Sequence, residues 1–489
     1  METNHQRTWL SAVAAIDVRS LAVFRMALGA LILWDQCIAL SNVRAFYSDE
    51  GMLPRSFLLS HPMQDAHIWS MHLVGGSVLV QSILILITMA AAIAVIIGWR
   101  TRWSLFIAWA LVCSIHGRNP TILYGGDVVL RVMAFWSFFL PMGACWSWDS
   151  KQGCAPSPPP MSFFGISSLA ILFQVSFIYW FTAVLKYGNE WTRDGSAVYY
   201  VLNADQFVLA PGRWLLGFPD LCRWLSFGVW WFELIGPFFA FIPWRTATWR
   251  VLVIAAMWAM HLGFALCLRI GYFPVAMMSI WLLFIPGDVW HWLSKRWRKL
   301  DLVTSDAPTA RLGWQRTAAE TFAAACLTLV LLWNLWTTDS QKWNRWLPPS
   351  VVAVGYTLRL DQSWALFAPT PVTDDGWMIC EAELFDGSRI DLLRSGQRVD
   401  FSKPAHLSST YPDWKWHKLQ VNLVSRSYET LRQPFADYLA SDWCRRNPRS
   451  SKVRSWTLWF VREQTLPHSI TVTPQKVQLA QNRLFIAPP

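Results

Sequence analysis

Charge is scarce in this sequence. Asp, Glu, Lys and Arg supply 15% of its 489 residues, where a soluble chain carries about a quarter, and that deficit argues against a soluble globular protein. The nine cysteines form no CxxC pair and no zinc-finger spacing, so a disulfide scaffold and a structural zinc site both lack support. Six of them lie inside apolar runs, where Cys behaves as a small hydrophobe. A phosphate-cradling glycine loop, an HExxH helix and a serine nucleophile elbow are all missing, as is a repeat of fixed period. The formal charge of +11 comes without a basic stripe or a nucleic-acid-binding signature. Nucleic acid is therefore not an expected partner.

What the sequence has in quantity is hydrophobicity, at 54%, and tryptophan, at 34 residues. Indole rings favour membrane–water interfaces, where the ring is half in hydrocarbon and the N–H finds a polar partner. Apolar runs at about 19–40, 77–98, 103–116, 128–147, 164–186, 221–243, 250–267, 270–286 and 317–336 are long enough, or nearly so, to cross a bilayer. The first is too long for a cleavable signal and reads as a retained helix. The expected fold is mainly α: a polytopic transmembrane bundle of about nine helices over residues 1–340, followed by a C-terminal α+β extramembrane domain over 341–489. The bilayer is thus the first partner. Basic residues bias the even-numbered loops (Arg100, Arg102, Lys151, Arg245, Arg250, Lys295, Arg296, Arg298, Lys299, Arg311, Arg316) over the odd ones (Arg44, Arg55, Arg118, Arg193, Arg213, Arg269). This predicts a cytoplasmic N-terminus and, after nine crossings, a tail outside. In the tail, Glu383 to Asp391 reads as a hairpin with an Asp386-Gly387 turn. Ser455–Glu463 and Ser469–Thr473 read as strands, and Leu419–Trp443 as a helix interrupted or restarted at Pro434. Cys380 and Cys444 both fall in this tail.

Charges inside the apolar runs are the informative exceptions, since each costs on the order of 2.5–3.5 kcal/mol at a helix centre. Arg25 and Asp35 share the first helix but stand about 15 Å apart along its axis, so each needs a partner elsewhere. Lys186 closes the fifth run. There it either snorkels to the interface or, with its ammonium form disfavoured by desolvation, serves as a base near neutral pH. Glu233 and His261 lie well inside later runs. Structural polar contacts explain each of these residues singly; together they suggest a shared polar cavity. The stretch His116 to Arg131, which includes Asn119, is dense enough in polar groups for a cavity mouth, and Asp127 and Arg131 suit an i,i+4 ion pair. His61, Asp65, His67 and His72 match no metal-site spacing, and no metal is expected.

At these residues the chain resembles the vitamin K-dependent γ-glutamyl carboxylases and their bacterial relatives, the HTTM-domain membrane proteins. Phe24-Arg25, Gly29 and Asp35 are similar to the family's first helix. Asn119 to Gly125 resembles an Asn-x-x-x-Leu-Tyr-Gly stretch. Phe181 to Trp191 resembles the segment with the catalytic lysine, which falls on Lys186. Glu233, and His261 with Ile270-Gly271 and Phe273, match a family acid and helix, and Gln362-Ser363-Trp364 with Phe367-Ala368-Pro369 resembles the bacterial members. The resemblance implies a cavity open to the outer face, with Lys186 deprotonating a reduced, vitamin K-type quinone. O2 and CO2 are then co-substrates, and glutamate side chains of a secreted peptide or protein are carboxylated. In the same reading Glu233 and His261 shape the cavity, while Arg25 and Asn119 steer anionic groups. The chain departs from the carboxylases at one place: Asn119 is followed by Pro120 where they carry histidine, and the nearest imidazole, His116, lies one helical turn earlier. The competing expectation is a non-catalytic maturation or export factor for a secreted peptide, in a bacterial inner membrane.

Overall fold

The computed structural model describes residues 9–297 apart from 62, 64 and 154–160, then 313–338, 347–466 and 473–485. Each of the nine apolar runs contains a helix, although the run at 128–147 is helical only as far as Ser137. These helices are α1 (Val18–Ser41), α2 (Val78–Ile97), α3 (Thr101–Arg118), α4 (Gly125–Ser137), α5 (Ile166–Leu185), α6 (Pro219–Phe239), α7 (Thr246–Cys267), α8 (Phe273–Ile280) and α9 (Gly313–Thr338). Local chemistry sets their ends. The Ser77 side chain accepts a hydrogen bond from Val80 N at the start of α2, and Gly98, at φ 75°, closes that helix by donating to Ala94 O. Asp17 caps α1 through Arg19 N and pairs with the Arg19 guanidinium.

Among the described residues, α1, α2, α5, α7 and α9 are long and apolar enough to span a membrane. A sixth candidate is a bent pair, Phe273–Phe284 and Gly287–Arg296, which turns through 92°. Helix α4 has 13 residues, and α3 ends in His116 and Arg118, both buried against protein. The apolar residues of α4 and one side of α3 serve helix–helix packing, which hydropathy cannot separate from contact with lipid, while Trp103, Phe106 and Ile107 of α3 stay exposed. Several cations counted for orientation are likewise packed inside: Arg118 is fully buried, and Arg250 donates to Val13 O and Ala240 O.

The tail forms a five-stranded antiparallel sheet. Its strands are β1 (Asp374–Leu384), β2 (Arg389–Asp391), β3 (Gln397–Arg398), β4 (Val453–Gln464) and β5 (Gln475–Asn482), in spatial order β3-β2-β1-β4-β5. Met378, Cys380, Ala382 and Leu384 alternate onto one face and meet Phe435, Ala436 and Leu439 of a covering helix; Trp377 and Ile379 face the other side with Leu407 and Tyr411. The expected hairpin is β1–β2, with Gly387 at φ 84° in its turn. The helical stretch breaks at Ser425 into α10 (Trp414–Val424), a 3-10 segment and α11 (Arg432–Arg446). Pro434 sits in the first turn of α11, where no intrahelical N–H is needed. Most of the expected strand Ser469–Thr473 lies outside the described residues, as does the boundary at 340/341. Beyond that boundary, Leu360 and Trp364 pack into the helical core itself. Cys380 and Cys444 are free thiols.

Candidate functional site

Helix α5 ends at Leu185, leaving carbonyls without intrahelical donors. One of them, Ala183 O, receives the Lys186 N–H and also the Trp230 indole N–H from α6, at 3.1 Å each. Glu233 follows Trp230 by three residues and therefore lies on the same face of α6. The cap of α5 thus carries a carboxylate to the lysine: Lys186 Nζ and Glu233 Oε2 are 2.5 Å apart. Trp191, just downstream, places its ring 4.6 Å from the same Nζ. Lys186 is only 3% exposed. It neither snorkels nor faces bare hydrocarbon. It shares a short hydrogen bond with an acid.

A second chain of donors runs alongside. The Trp281 indole donates to Tyr179 Oη at 2.8 Å, and Tyr179 Oη is 2.8 Å from His261 Nε2. An indole N–H can only donate, which leaves the tyrosine hydroxyl its own proton to place on Nε2; in that tautomer a neutral His261 carries its proton on Nδ1. That atom is buried and has no hydrogen-bond partner among the described residues; neither has Trp414 Nε1. Lys186, Glu233, His261 and Trp414 all line one cavity of about 1270 Å3, walled chiefly by residues such as Ile178, Phe232, Met260, Phe264, Phe273 and Leu366. The motif loop after α9 closes one side. Trp191 Nε1 donates to Phe367 O, Gly188 N donates to Pro369 O, and Gln362 Oε1 accepts from Gln174 and Trp364.

The single polar cavity expected for all the intramembrane charges is not what forms. Arg25 points away from it, donating to Met142 O and Trp146 O in the loop after α4. Asn119 donates to Phe46 O and accepts from Thr121, fixing a turn. Neither is placed to steer an anion in the cavity, although Pro120 does line it. Nor do Asp127 and Arg131 pair. Asp127 turns back to accept from Tyr124 N and Tyr272 Oη, while Arg131 meets Asp361 at 3.0 Å.

Asp35 belongs to a second, separate cluster. Lys415, from α10 of the tail, reaches it at 2.8 Å and stands 3.9 Å from Asp127. His116 Nε2 is 3.8 Å from Asp127, so this imidazole faces the second cluster and does not replace the one absent at position 120. Asp35, His116 and Asp127 bring ligand atoms within 4.8 Å of one another, a set that would suit a divalent cation, but the Lys415 ammonium already provides the positive charge. Burial pulls that ammonium's pKa down; Asp35, with Tyr47 and Asp127 behind it, more than reverses this and holds it well above the ordinary lysine value. Sequence reasoning missed Lys415. The only signal was a lysine between two tryptophans behind an Asp N-cap. In the loop between α1 and α2, His67 pairs with Asp65 and His72 hydrogen-bonds Ser114, so no histidine cluster converges among the described residues.

Compared with known families, residues 14–290 match the HTTM domain. The uncharacterized protein YitO of Bacillus subtilis (strain 168) is 23% identical over 254 residues, which cover 48% of this chain and 76% of YitO. No solved structure matches.

Proposed function

Because this chain belongs to the HTTM-domain family, whose domain is shared with vitamin K-dependent γ-carboxylase, we propose that it is a quinol-driven membrane enzyme that carboxylates glutamate side chains of a secreted peptide on the outer face. The observation that carries this reading is the Lys186–Glu233 pair at the polar end of an otherwise apolar cavity. A reduced quinone fits that space: a flat, apolar ring suits the walls, and His261 Nδ1 and Trp414 Nε1 are buried donors still without partners. With O2 and CO2, such a group supplies removal of a glutamate γ-proton and addition of CO2 at the carbon left behind.

The residues divide the remaining work. Lys186 accepts a hydroxyl proton at Nζ. Glu233 Oε2 holds that amine in place and takes up the proton already on it, so the site gains a proton without leaving an isolated charge in a low-dielectric wall. Tyr179 and Trp281 fix the tautomer and orientation of His261, which keeps Nδ1–H aimed at the ligand. The greasy lining excludes bulk water, which would quench a strong base. The competing reading, a non-catalytic maturation or export factor, draws on Pro120, since no imidazole stands at that place in the cavity wall; in the proposed reading His261 is the imidazole of the site.

Purified protein in lipid nanodiscs, given a reduced naphthoquinone, air, labelled bicarbonate and a glutamate-containing peptide, is expected to fix label into the peptide, and Lys186→Ala to abolish it. No incorporation with menaquinol- or phylloquinol-type donors by folded wild-type protein would leave the maturation-factor reading in its place.

A further inference from the structure

The same cavity has a second polar wall that the carboxylation chemistry does not use. Arg131, from α4, and Arg359, from the loop before the Gln362 motif, are 2% and 1% exposed and both line the cavity. They share one carboxylate. Arg131 Nη2 is 3.0 Å from Asp361 Oδ2, and Arg359 Nε is 3.4 Å from Asp361 Oδ1. Arg359 also donates to Cys113 O at 2.9 Å, and Arg131 Nε has no hydrogen-bond partner among the described residues. Two guanidiniums meet one acid here, so this stretch of the wall carries a local excess of one positive charge; the nearest excess of acid, Asp35 and Asp127 against Lys415, does not line the cavity.

An uncompensated buried charge is expensive, and the chain holds this one in place at further expense. Arg359 adopts φ 56°, a left-handed conformation that non-glycine residues avoid. Burial first, and the charge of Arg131 next, lower the Arg359 pKa to about 10, so the guanidinium remains charged at neutral pH.

We propose that this arginine pair is the head-group site for a monoanionic amphiphile, a long-chain carboxylate whose apolar body lies along the cavity. A carboxylate supplies one negative charge to match the one in excess and accepts two parallel N–H bonds from a guanidinium. A phosphate monoester would bring close to two charges and overshoot the balance. A hydrocarbon chain needs no hydrogen-bond partners from the apolar walls beside this pair. The inference does not depend on Lys186, which lies in a different polar cluster of the same cavity.

Equilibrium binding of labelled palmitate to the full-length protein in nanodiscs, measured against empty nanodiscs, tests it. Palmitate is expected to bind saturably and to resist displacement by neutral hexadecanol. Arg131→Gln is expected to weaken binding roughly tenfold, the loss of one charged hydrogen-bonded contact. Asp361→Asn, which frees both arginines from their shared acid, is expected to tighten it. The opposite signs separate ligand binding from a merely structural role, and Asp361→Asn keeps the test open if Arg131→Gln does not fold. Equal displacement by hexadecanol, no saturable binding, or weaker binding in Asp361→Asn would overturn the proposal.

Discussion

Two buried lysines among the described residues each meet an aspartate or glutamate, and the difference between their surroundings separates the proposed site from a structural contact. Lys186 has one carboxylate, a short shared hydrogen bond and an open side on a cavity. Lys415 has two, Asp35 and Asp127; none of the three lines the cavity, and Tyr47, Tyr124 and Tyr272 crowd around them. The first pair can exchange a proton with a ligand. The second has nowhere to send one, and its lysine comes from the tail while its acids come from α1 and α4. Its work is to hold the tail helix against the bundle.

The largest expected effect follows from removing the charge that has no substitute. Lys415→Met leaves Asp35 and Asp127 facing each other without a cation and is expected to lose roughly 3–5 kcal/mol, read as a fall in unfolding midpoint in detergent. Adding Asp35→Asn should recover part of that loss, because the two residues are coupled. Lys186→Met should be milder, about 1–3 kcal/mol, since Glu233 borders the cavity and can take up a proton there. Equal losses at the two lysines would erase the distinction drawn between them. Next in size is Glu233→Gln, which keeps the shape of the Lys186 partner but removes its ability to accept a proton; carboxylation should fall about 100-fold with the unfolding midpoint nearly unchanged.

The smallest effect concerns Asp375 in β1, a buried acid with no ion pair among the described residues. Burial, with Asp205 adding to it and the Gly376 N–H opposing it, pushes its pKa up to about 6. The folded state therefore favours the protonated acid. Between the unfolded value near 4 and about 6, folding stability falls as pH rises, and above that the penalty is complete. Asp375→Asn is expected to stabilise the protein by about 1–3 kcal/mol at pH 7.5 and to lose that gain as the pH is lowered toward 4. A gain that persists at pH 4 would mean that ionisation is not the cause.

The sequence made the helices legible through their apolar runs, and the tail through its period-2 strands and Asp386-Gly387 turn. It could not separate apolar residues that face lipid from those that face protein: α4 is apolar because it packs inside the bundle, and α3 buries one side while Trp103, Phe106 and Ile107 stay exposed on the other. Lys186, Glu233 and His261 could be picked out because a charged or polar side chain deep in an apolar run is costly. Their grouping could not: the cost of burial put Arg25 and Asp35 with the cavity, and the family resemblance put Asn119 there, and none of the three lines it. Arg25 satisfies itself on backbone carbonyls of a loop more than a hundred residues away, and no spacing rule shows that. Lys415 and the Arg131–Arg359 pair were missed for a related reason: Lys415 meets Asp35, and Arg131 meets the Asp361 that Arg359 also uses, more than two hundred residues away, across the boundary between bundle and tail.

The central claim, that Lys186 and Glu233 manage a proton on behalf of a bound quinol, is tested most directly without any carboxylation. In deuterated water, with reduced naphthoquinone and air but no bicarbonate, the glutamate of a peptide substrate should gain deuterium at its γ-carbon only when the quinol is present, and Lys186→Ala should show no gain. Deuterium uptake that is independent of the quinol, or equal in Lys186→Ala and wild type, would contradict the account.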